Sequence, residues 1–295
     1  MQQEIVKVDT VSGVPEARNA AQTDEQLVEL WLHGLSPHTE RAYRKDWCDF
    51  RVAVRKPLGS VTLADIQNFA IRLGHTTLSE GSRHRKLSTV KSLFGFAHRI
   101  GYLSYDTARP LRLPAVRETL SERIMTEEEV TRLIAAARRP RDRALLMLLY
   151  ASGVRVSEVV ALRWRDAVGR AEGGQITVFG KGRKTRSVLL PRRTWLTLLS
   201  VRGNAGDDDP IFRSRRGGHL DPSAVLRVVK AAAQRAGIER PVSPHTFRHA
   251  HCSHALDRGA PIHLVQATVG HSSVATTSRY LHARPGESSG QFLPV

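Results

Sequence analysis

The sequence predicts a mainly α fold with a small antiparallel β-sheet (α+β), divided into two domains. Residues 23–106 carry apolar side chains at the three- and four-residue spacing of amphipathic helices. Helical patterns resume after a basic stretch over residues 107–123, and two β-rich runs around a glycine-containing turn interrupt them. With 295 residues, 41% of them hydrophobic, the chain is long enough to build two cores.

An excess of positive charge predicts a polyanionic partner. Lys and Arg total 45 against 28 Asp and Glu, a formal charge of +17, which favours nucleic acid. A merely basic soluble protein and an anionic membrane surface are the alternatives. The longest apolar run, Ala144–Ala151, is far shorter than the roughly 20 residues of a membrane span. No secretory signal and only two cysteines predict a cytoplasmic, nucleoid-associated protein without a membrane partner.

The first domain is predicted to contain four helices. Residues 1–22 lack periodicity and are expected to form a mobile leader. Ser36 is an N-cap candidate, and Thr62 with Asp65 forms a capping pattern. The aromatic side chains of the second helix are expected in the core, with base stacking as the alternative; they are Tyr43, Trp47 and Phe50.

The fourth helix, from about Ser79 to Ile100, has a basic face. Only Glu80 offsets the positive charges, which are carried by Arg83, Arg85, Lys86 and Lys91. Contact with a DNA backbone and an ordinary solvated charged face are both open at this point.

The second domain begins after the stretch 107–123, which two prolines and four arginines mark as a basic linker. Its most apolar helix, Arg141–Ala151, is expected to be buried because leucines cover every side. Gly153 ends this helix and leaves Arg155 at the start of the next one. A guanidinium beside exposed helix amides makes an anion site, and a surface arginine paired with Glu158 is the alternative.

A β-hairpin is predicted from residues 175–179 and 187–190, joined by the turn 180–186. The basic side chains of the turn, among them Lys181, Arg183 and Lys184, would project into a groove of DNA. Lys181 is singled out because lysine is a compact donor whose pKa falls on desolvation. A charged loop tip is the alternative.

The C-terminal stretch from Ser243 to His282 concentrates groups suited to phosphodiester chemistry. His245 and Arg248 are three residues apart, on one face of a predicted helix. His271 stands in a turn between two small residues, and a short helix over residues 275–281 is expected to present Tyr280. Two imidazoles, a guanidinium and a phenol can hold a phosphodiester and attack it.

Taken in order, these motifs resemble the tyrosine recombinase (phage integrase) family, of the Xer-like or mobile-element type. The resemblance covers about residues 23–282 and rests on Arg155 in GVRVSEV, Lys181 in a basic hairpin, His245-x-x-Arg248, His271 in GHSS and Tyr280. It implies a site-specific recombinase that cleaves and rejoins duplex DNA through a covalent 3′-phosphotyrosine and strand exchange, as in integration, excision or resolution.

The resemblance also implies a role for each group. Tyr280 would be the nucleophile, and Arg155 and Arg248 would stabilise the charge on the phosphate. The two histidines would donate further hydrogen bonds, with His245 also a candidate base for the phenol. Lys181 would protonate the leaving 5′-oxygen. No metal, ATP or other cofactor is then required.

The expected architecture is a two-domain clamp around duplex DNA. A leader (1–22) precedes a helical, SAM-like core-binding domain (23–106), the linker (107–123), a catalytic domain (124–284) and a C-terminal tail (285–295). The resemblance implies a homo-tetramer on two synapsed sites; a free monomer and an accessory protein are left open.

Three alternatives stand beside this hypothesis. A type IB topoisomerase shares the chemistry, and a non-catalytic DNA-binding regulator would need only the basic surface. The histidines and cysteine of the HxxR segment also suggest a zinc site, but their spacing matches no compact structural site; they are His245, His249, His251, Cys252 and His254. Packing or hydrogen bonding is the favoured role for His249 and His254.

Overall fold

The computed structural model describes residues 21–115, 120–180 and 185–281. It divides the chain into two compact units, Met1–Arg117 and Glu118–Val295. The predicted class, mainly helical with a small antiparallel sheet, is confirmed. Within the described ranges, no helix combines the length and the apolar character that a membrane span requires.

The helices of the first unit begin at the predicted start signals. Ser36 accepts a hydrogen bond from the Thr39 amide, and Thr62 and Asp65 form a reciprocal capping box. These signals satisfy main-chain amides that the first turn of a helix leaves without partners. The helices are α1 (Asp24–Leu32), α2 (Pro37–Val54), α3 (Leu63–Gly74) and α4 (Glu80–Arg99), with a 3₁₀ turn at Leu58–Ser60.

Aromatic rings fill the core of the first unit. Phe50 of α2 meets Phe69 of α3 and Phe94 of α4 edge to face, with ring centroids 5.1 and 6.1 Å apart. Trp47 is also buried, and Tyr43 is half-buried. The expectation that the aromatic residues of α2 build the core is confirmed.

Part of the segment predicted as a linker is packed instead. Ala108 and Leu111 are buried in the core of the first unit. Lys91 of α4 donates to the carbonyls of Arg109 and Leu111, at 2.9 and 2.7 Å. The apolar side chains between the arginines can be buried, but the prolines of this stretch led to its prediction as an extended linker.

The second unit is built from nine helices and one sheet in the described residues. Its helices are α5 (Leu120–Arg123), α6 (Glu127–Ala135), α7 (Pro140–Ser152), α8 (Val156–Ala161), α9 (Arg192–Leu199), α10 (Pro222–Arg235), α11 (Pro244–Asp257), α12 (Ile262–Val269) and α13 (Val274–Ser278). As predicted, α7 is buried, with its leucines inside the core of this unit.

The sheet has three antiparallel strands in the order β1 (Ala167–Arg170), β2 (Gly173–Phe179) and β3 (Thr185–Pro191). The predicted hairpin is confirmed as the β2–β3 pair, in which Ile176 lies opposite Val188. The sequence did not predict β1, because this short, largely exposed strand carries no apolar alternation.

Helices α11 and α12 and the turn after α13 position the site. α11 packs against α7 and α12, and α12 also packs against β3. α13 ends at Ser278, earlier than predicted, and the following turn places Tyr280 through a hydrogen bond from its amide to the Thr277 carbonyl, at 3.0 Å.

Candidate active site

The turn between α7 and α8 requires a glycine at position 153. Gly153 has φ +58°, and a Cβ there would lie 2.7 Å from His251 Cδ2 and 2.9 Å from Val269 Cγ1. The left-handed backbone and the close packing both exclude a side chain. The turn presents the Gly153 carbonyl to α11 and leaves Arg155 as the N-cap of α8.

Arg155 is held through both its main chain and its guanidinium. Its amide donates to Glu158 Oε2 at 2.8 Å, and Nη1 donates to Glu158 Oε1 at 3.1 Å. Nη2 donates to the Gly270 carbonyl at 3.2 Å. Glu158 is buried whereas Arg155 stays partly exposed, so the carboxylate orients a guanidinium that can still reach a ligand.

Glu158 has a second guanidinium partner, Arg186 of β3. Nη1 and Nη2 of Arg186 donate to the two carboxylate oxygens at 2.9 and 2.7 Å, and Nε donates to the Thr268 carbonyl at 2.8 Å. Burial raises the pKa of Glu158, but hydrogen bonds from Arg186 and from the Arg155 amide outweigh burial and hold that pKa below its usual value. The ionised carboxylate therefore ties β3 to the start of α8.

Arg248 is a buried cation with an unused donor. It is 4% exposed, and Nη1 donates to the Gly153 carbonyl at 2.7 Å. Nη2 is buried and meets no acceptor among the described residues. Burial, together with the charge of Arg155, lowers the pKa of Arg248 to about 10, so the group is still charged at neutral pH. A buried charge with an unsatisfied donor is costly, which indicates a site for an anion.

The two predicted site histidines are neutral near pH 7. Loss of water around each ring, with the charges of Arg248 and Arg155, lowers the pKa of His245 and lowers that of His271 to about 4. His271 Nδ1 lies 2.9 Å from Thr277 Oγ1. His245 is nevertheless an exposed residue, so it is accessible to a ligand.

Tyr280 is buried beside these groups. It is 4% exposed and belongs to an apolar cluster with Cys252 and Val265. Its Oη lies 2.7 Å from His249 Nδ1, and its ring stacks on that of His271 with centroids 6.3 Å apart. Burial and the neighbouring Cys252 raise the pKa of Tyr280 above its usual value, so the phenol keeps its proton until a base removes it.

The other histidines of α11 take part in hydrogen bonds. His251 Nδ1 lies 2.8 Å from the Tyr150 carbonyl, and His254 Nδ1 lies 2.9 Å from the Tyr150 hydroxyl. No group of three His, Cys, Asp or Glu side chains within the described parts of the chain is arranged to hold a metal ion. The geometry supports the hydrogen-bonding interpretation of this cluster.

In the first unit, two of the predicted DNA-contacting side chains have an acidic partner inside the protein. Lys86 is 6% exposed and donates to Asp46 at 3.0 Å and also to Asp49. Arg85 bonds to the other oxygen of Asp46, to which Thr89 also donates at 3.0 Å. Lys86 therefore neutralises a buried carboxylate, whereas Arg85 keeps an exposed side chain.

The other predicted DNA contacts differ in placement. Arg83 is partly exposed and makes one long contact, 3.4 Å, from Nη1 to the Gly74 carbonyl. Lys91 is occupied by the two main-chain carbonyls described above. Lys181, Arg183 and Lys184 lie outside the described residues.

Three contributors to the site were not among the catalytic candidates named from sequence alone. Glu158 had a usable signal, since its position three residues after Arg155 is the spacing of a capping box. Arg186 and His249 had none, because their partners Glu158 and Tyr280 lie 28 and 31 residues away in the chain. Only the packing of β3, α11 and the turn after α13 brings them together.

Family models match both units of the chain. Residues 123–287 match the phage integrase family, and residues 27–101 match the phage integrase N-terminal SAM-like domain. Tyrosine recombinase XerC of Pelobacter propionicus is 34% identical over 283 residues, 88% of this chain and 90% of the relative. Tyrosine recombinase XerD of Corynebacterium glutamicum is 33% identical over 285 residues, covering 87% and 93%.

Solved structures show the same fold. The crystal structure of XerA recombinase is 28% identical, covers 92% of this chain and 99% of that one, and has a TM-score of 0.53. XerH bound to palindromic difH substrate gives 20% identity, 90% and 82% coverage and a TM-score of 0.72. A lambda integrase dimer bound to a COC′ core site gives 19%, 90% and 96%, and 0.73.

Proposed function

The chain belongs to the phage integrase family and is a tyrosine-type site-specific DNA recombinase, and we propose that Tyr280 is its nucleophile. The observation that carries the proposal is the buried guanidinium of Arg248, whose Nη2 has no acceptor in the described residues. A phosphodiester oxygen supplies the missing acceptor and the missing negative charge. The charge of Arg155 also lowers the pKa of Arg248, and we assign both guanidiniums to one phosphate.

The cleavage step follows from this arrangement. The Tyr280 oxygen attacks phosphorus, the bond between Oη and phosphorus forms, and the bond from phosphorus to the 5′-oxygen breaks. Negative charge that grows on the non-bridging oxygens is stabilised by Arg155 and Arg248, and His245 and His271 are placed to donate further hydrogen bonds. Attack by the 5′-hydroxyl of another strand reverses the step and joins new partners.

The leaving 5′-oxygen needs a proton, and we assign that role to Lys181. The support is its place in the sequence between β2 and β3, since β3 carries Arg186, which bonds to the same carboxylate as Arg155. The chemistry conserves the phosphodiester energy in the phosphotyrosine, so the reaction draws on no ATP and no metal ion.

The DNA partner is duplex, and the chain's formal charge of +17 favours it at every phosphate that the protein contacts. We assign DNA-backbone contact to Arg83, Arg85 and Lys91 of α4 and to Arg183 and Lys184, which lie between β2 and β3 in the sequence. The helical unit, residues 23–106, serves as the core-binding domain, and residues 124–284 form the catalytic domain. Strand exchange between two duplexes then calls for a homo-tetramer on synapsed sites.

The test uses a covalent band on a denaturing gel. Nicked duplexes tiled from the DNA that flanks the protein's own coding region are incubated with the wild type, Tyr280→Phe and Tyr105→Phe. Tyr105 is 64% exposed and serves as the matched control. We expect a covalent protein–DNA band with the wild type and Tyr105→Phe, and none with Tyr280→Phe. A band that persists in Tyr280→Phe would overturn the assignment of the nucleophile.

A further inference from the structure

The phenol of Tyr280 meets an imidazole other than that of the HxxR histidine. His249 Nδ1 lies 2.7 Å from Tyr280 Oη, whereas His245 makes no hydrogen bond to Tyr280 within the described residues. Resting on the proposed function, we propose that His249 is a catalytic residue of the recombinase, which orients the phenol and accepts its proton during attack on DNA.

The environment of Tyr280 makes a base necessary. Its side chain is buried with Cys252, Val265 and Val269, and this burial raises its pKa. Attack by a neutral phenol leaves a proton on Oη that must depart as the new bond to phosphorus forms. A nitrogen already at hydrogen-bond distance from that proton is placed to receive it without rearrangement.

Proton transfer to His249 requires one direction of this hydrogen bond. In the proposed mechanism the phenol donates and His249 Nδ1 accepts, so the hydrogen of the neutral ring is on Nε2. As the bond between Oη and phosphorus forms and that to the 5′-oxygen breaks, the phenol proton moves to Nδ1. The 5′-oxygen receives its proton from a separate acid, and the imidazolium of His249 returns its proton to Oη when the joining step regenerates the phenol. Protons therefore balance over one cycle.

This arrangement gives different roles to two histidines that are one helical turn apart. The rings of His245 and His249 are 6.4 Å apart between centroids and tilted by 32°. His245 has an exposed ring next to Arg248 and Arg155, whose charges lower its pKa. That position suits donation to a phosphate oxygen. His249 instead lies against the nucleophile, with ring centroids 5.8 Å apart.

Three substitutions separate orientation from proton transfer. His249→Ala removes both, and His249→Asn keeps an acceptor oxygen close to the position of Nδ1 but has no basicity. His263→Ala, at an exposed position of α12, is the matched control. The measurements are the single-turnover rate of covalent complex formation on the nicked duplex, the affinity for the same duplex, and restoration of the rate by added imidazole.

We expect His249→Ala and His249→Asn to slow covalent complex formation about 100-fold or more, with DNA affinity unchanged. Imidazole should restore the rate of His249→Ala at least about tenfold while leaving wild type and His263→Ala unaffected, because only the cavity at position 249 lacks a base.

Three results would overturn the proposal. An Asn variant as fast as wild type would reduce His249 to orientation alone. A rate within about threefold of wild type in His249→Ala would remove it from the chemistry. Faster cleavage in either variant would mean that the hydrogen bond restrains Tyr280. If the wild type itself forms no covalent complex on any duplex, it is the proposed function that fails.

Discussion

Both units bury charged side chains, but Asp46 of the first unit is fully matched inside the protein, whereas Arg248 of the second is not. Asp46 in the first unit is 1% exposed and is bonded by Arg85, Lys86 and Thr89. Arg248 in the second unit is 4% exposed, yet one of its terminal nitrogens meets no acceptor among the described residues.

The difference indicates that Asp46 has a structural role and that Arg248 has a functional one. A buried charge with a complete set of partners holds elements together, here α2 and α4, and breaking it costs stability. A buried charge that still has an unused hydrogen-bond donor after folding can interact with a ligand, and the energy of that interaction contributes to binding or catalysis. The contrast predicts that substitutions at the two positions have opposite signatures.

The largest expected effect is on catalysis at Arg248. Arg248→Ala should slow covalent complex formation about 10³-fold or more, the range found when an arginine that contacts a transferring phosphoryl group is removed. The thermal stability of the protein should change little, because the lost hydrogen bond to Gly153 is offset by removal of a buried charge. Arg227→Ala on the exposed surface of α10 is the control. Unimpaired cleavage by Arg248→Ala would refute the phosphate site.

Asp46→Ala should show the reverse signature. It leaves Lys86 buried without its buried partner, and we expect the free energy of unfolding to fall by about 3 to 5 kcal/mol. The cleavage rate at saturating DNA, measured where the variant is folded, should stay within a few-fold of wild type. Asp49→Ala is the matched control, since Asp49 is half-exposed and pairs with the same lysine. An unchanged unfolding curve for Asp46→Ala would contradict the structural role that we assign to Asp46.

Glu158 both links structural elements and orients Arg155, so its substitution should change stability and cleavage. The change in stability should depend on pH. The pKa of Glu158 is held below the usual 4.5, so its stabilising contribution is present above about pH 4.5 and is lost as the pH falls through the lower folded-state pKa. The difference in unfolding free energy between wild type and Glu158→Gln should therefore shrink in acid. We also expect Glu158→Gln to slow cleavage about 10- to 100-fold, because Arg155 loses its orienting partner. A stability difference that grows in acid would contradict this.

The smallest expected effect concerns DNA affinity. Arg83→Ala should weaken binding to all duplexes alike and reduce the slope of log affinity against log salt by about one unit. Lys86→Met should alter stability while leaving that slope unchanged, because Lys86 is already paired inside the protein. Equal slopes for wild type and Arg83→Ala would remove Arg83 from the DNA-binding surface.

Prediction from sequence succeeded where the signal is local. The capping pair Thr62–Asp65 marks a helix start within four residues, and the structure has a capping box there. The β2–β3 pairing followed from two β-rich runs around one turn. Prediction failed for β1, which lacks alternation, and for part of the linker, where Ala108 and Leu111 pack into a core that only the folded helices create.

The sequence alone determined the list of chemical groups. Short-range patterns predicted arginine, histidine and tyrosine residues at helix starts and turns. The order of these residues along the chain indicated the family. Only the tertiary structure decided which groups meet. The pairs Tyr280–His249, Glu158–Arg186 and Arg248–Gly153 join positions 31, 28 and 95 residues apart. Contacts over such separations depend on how whole helices pack, and no local pattern encodes them.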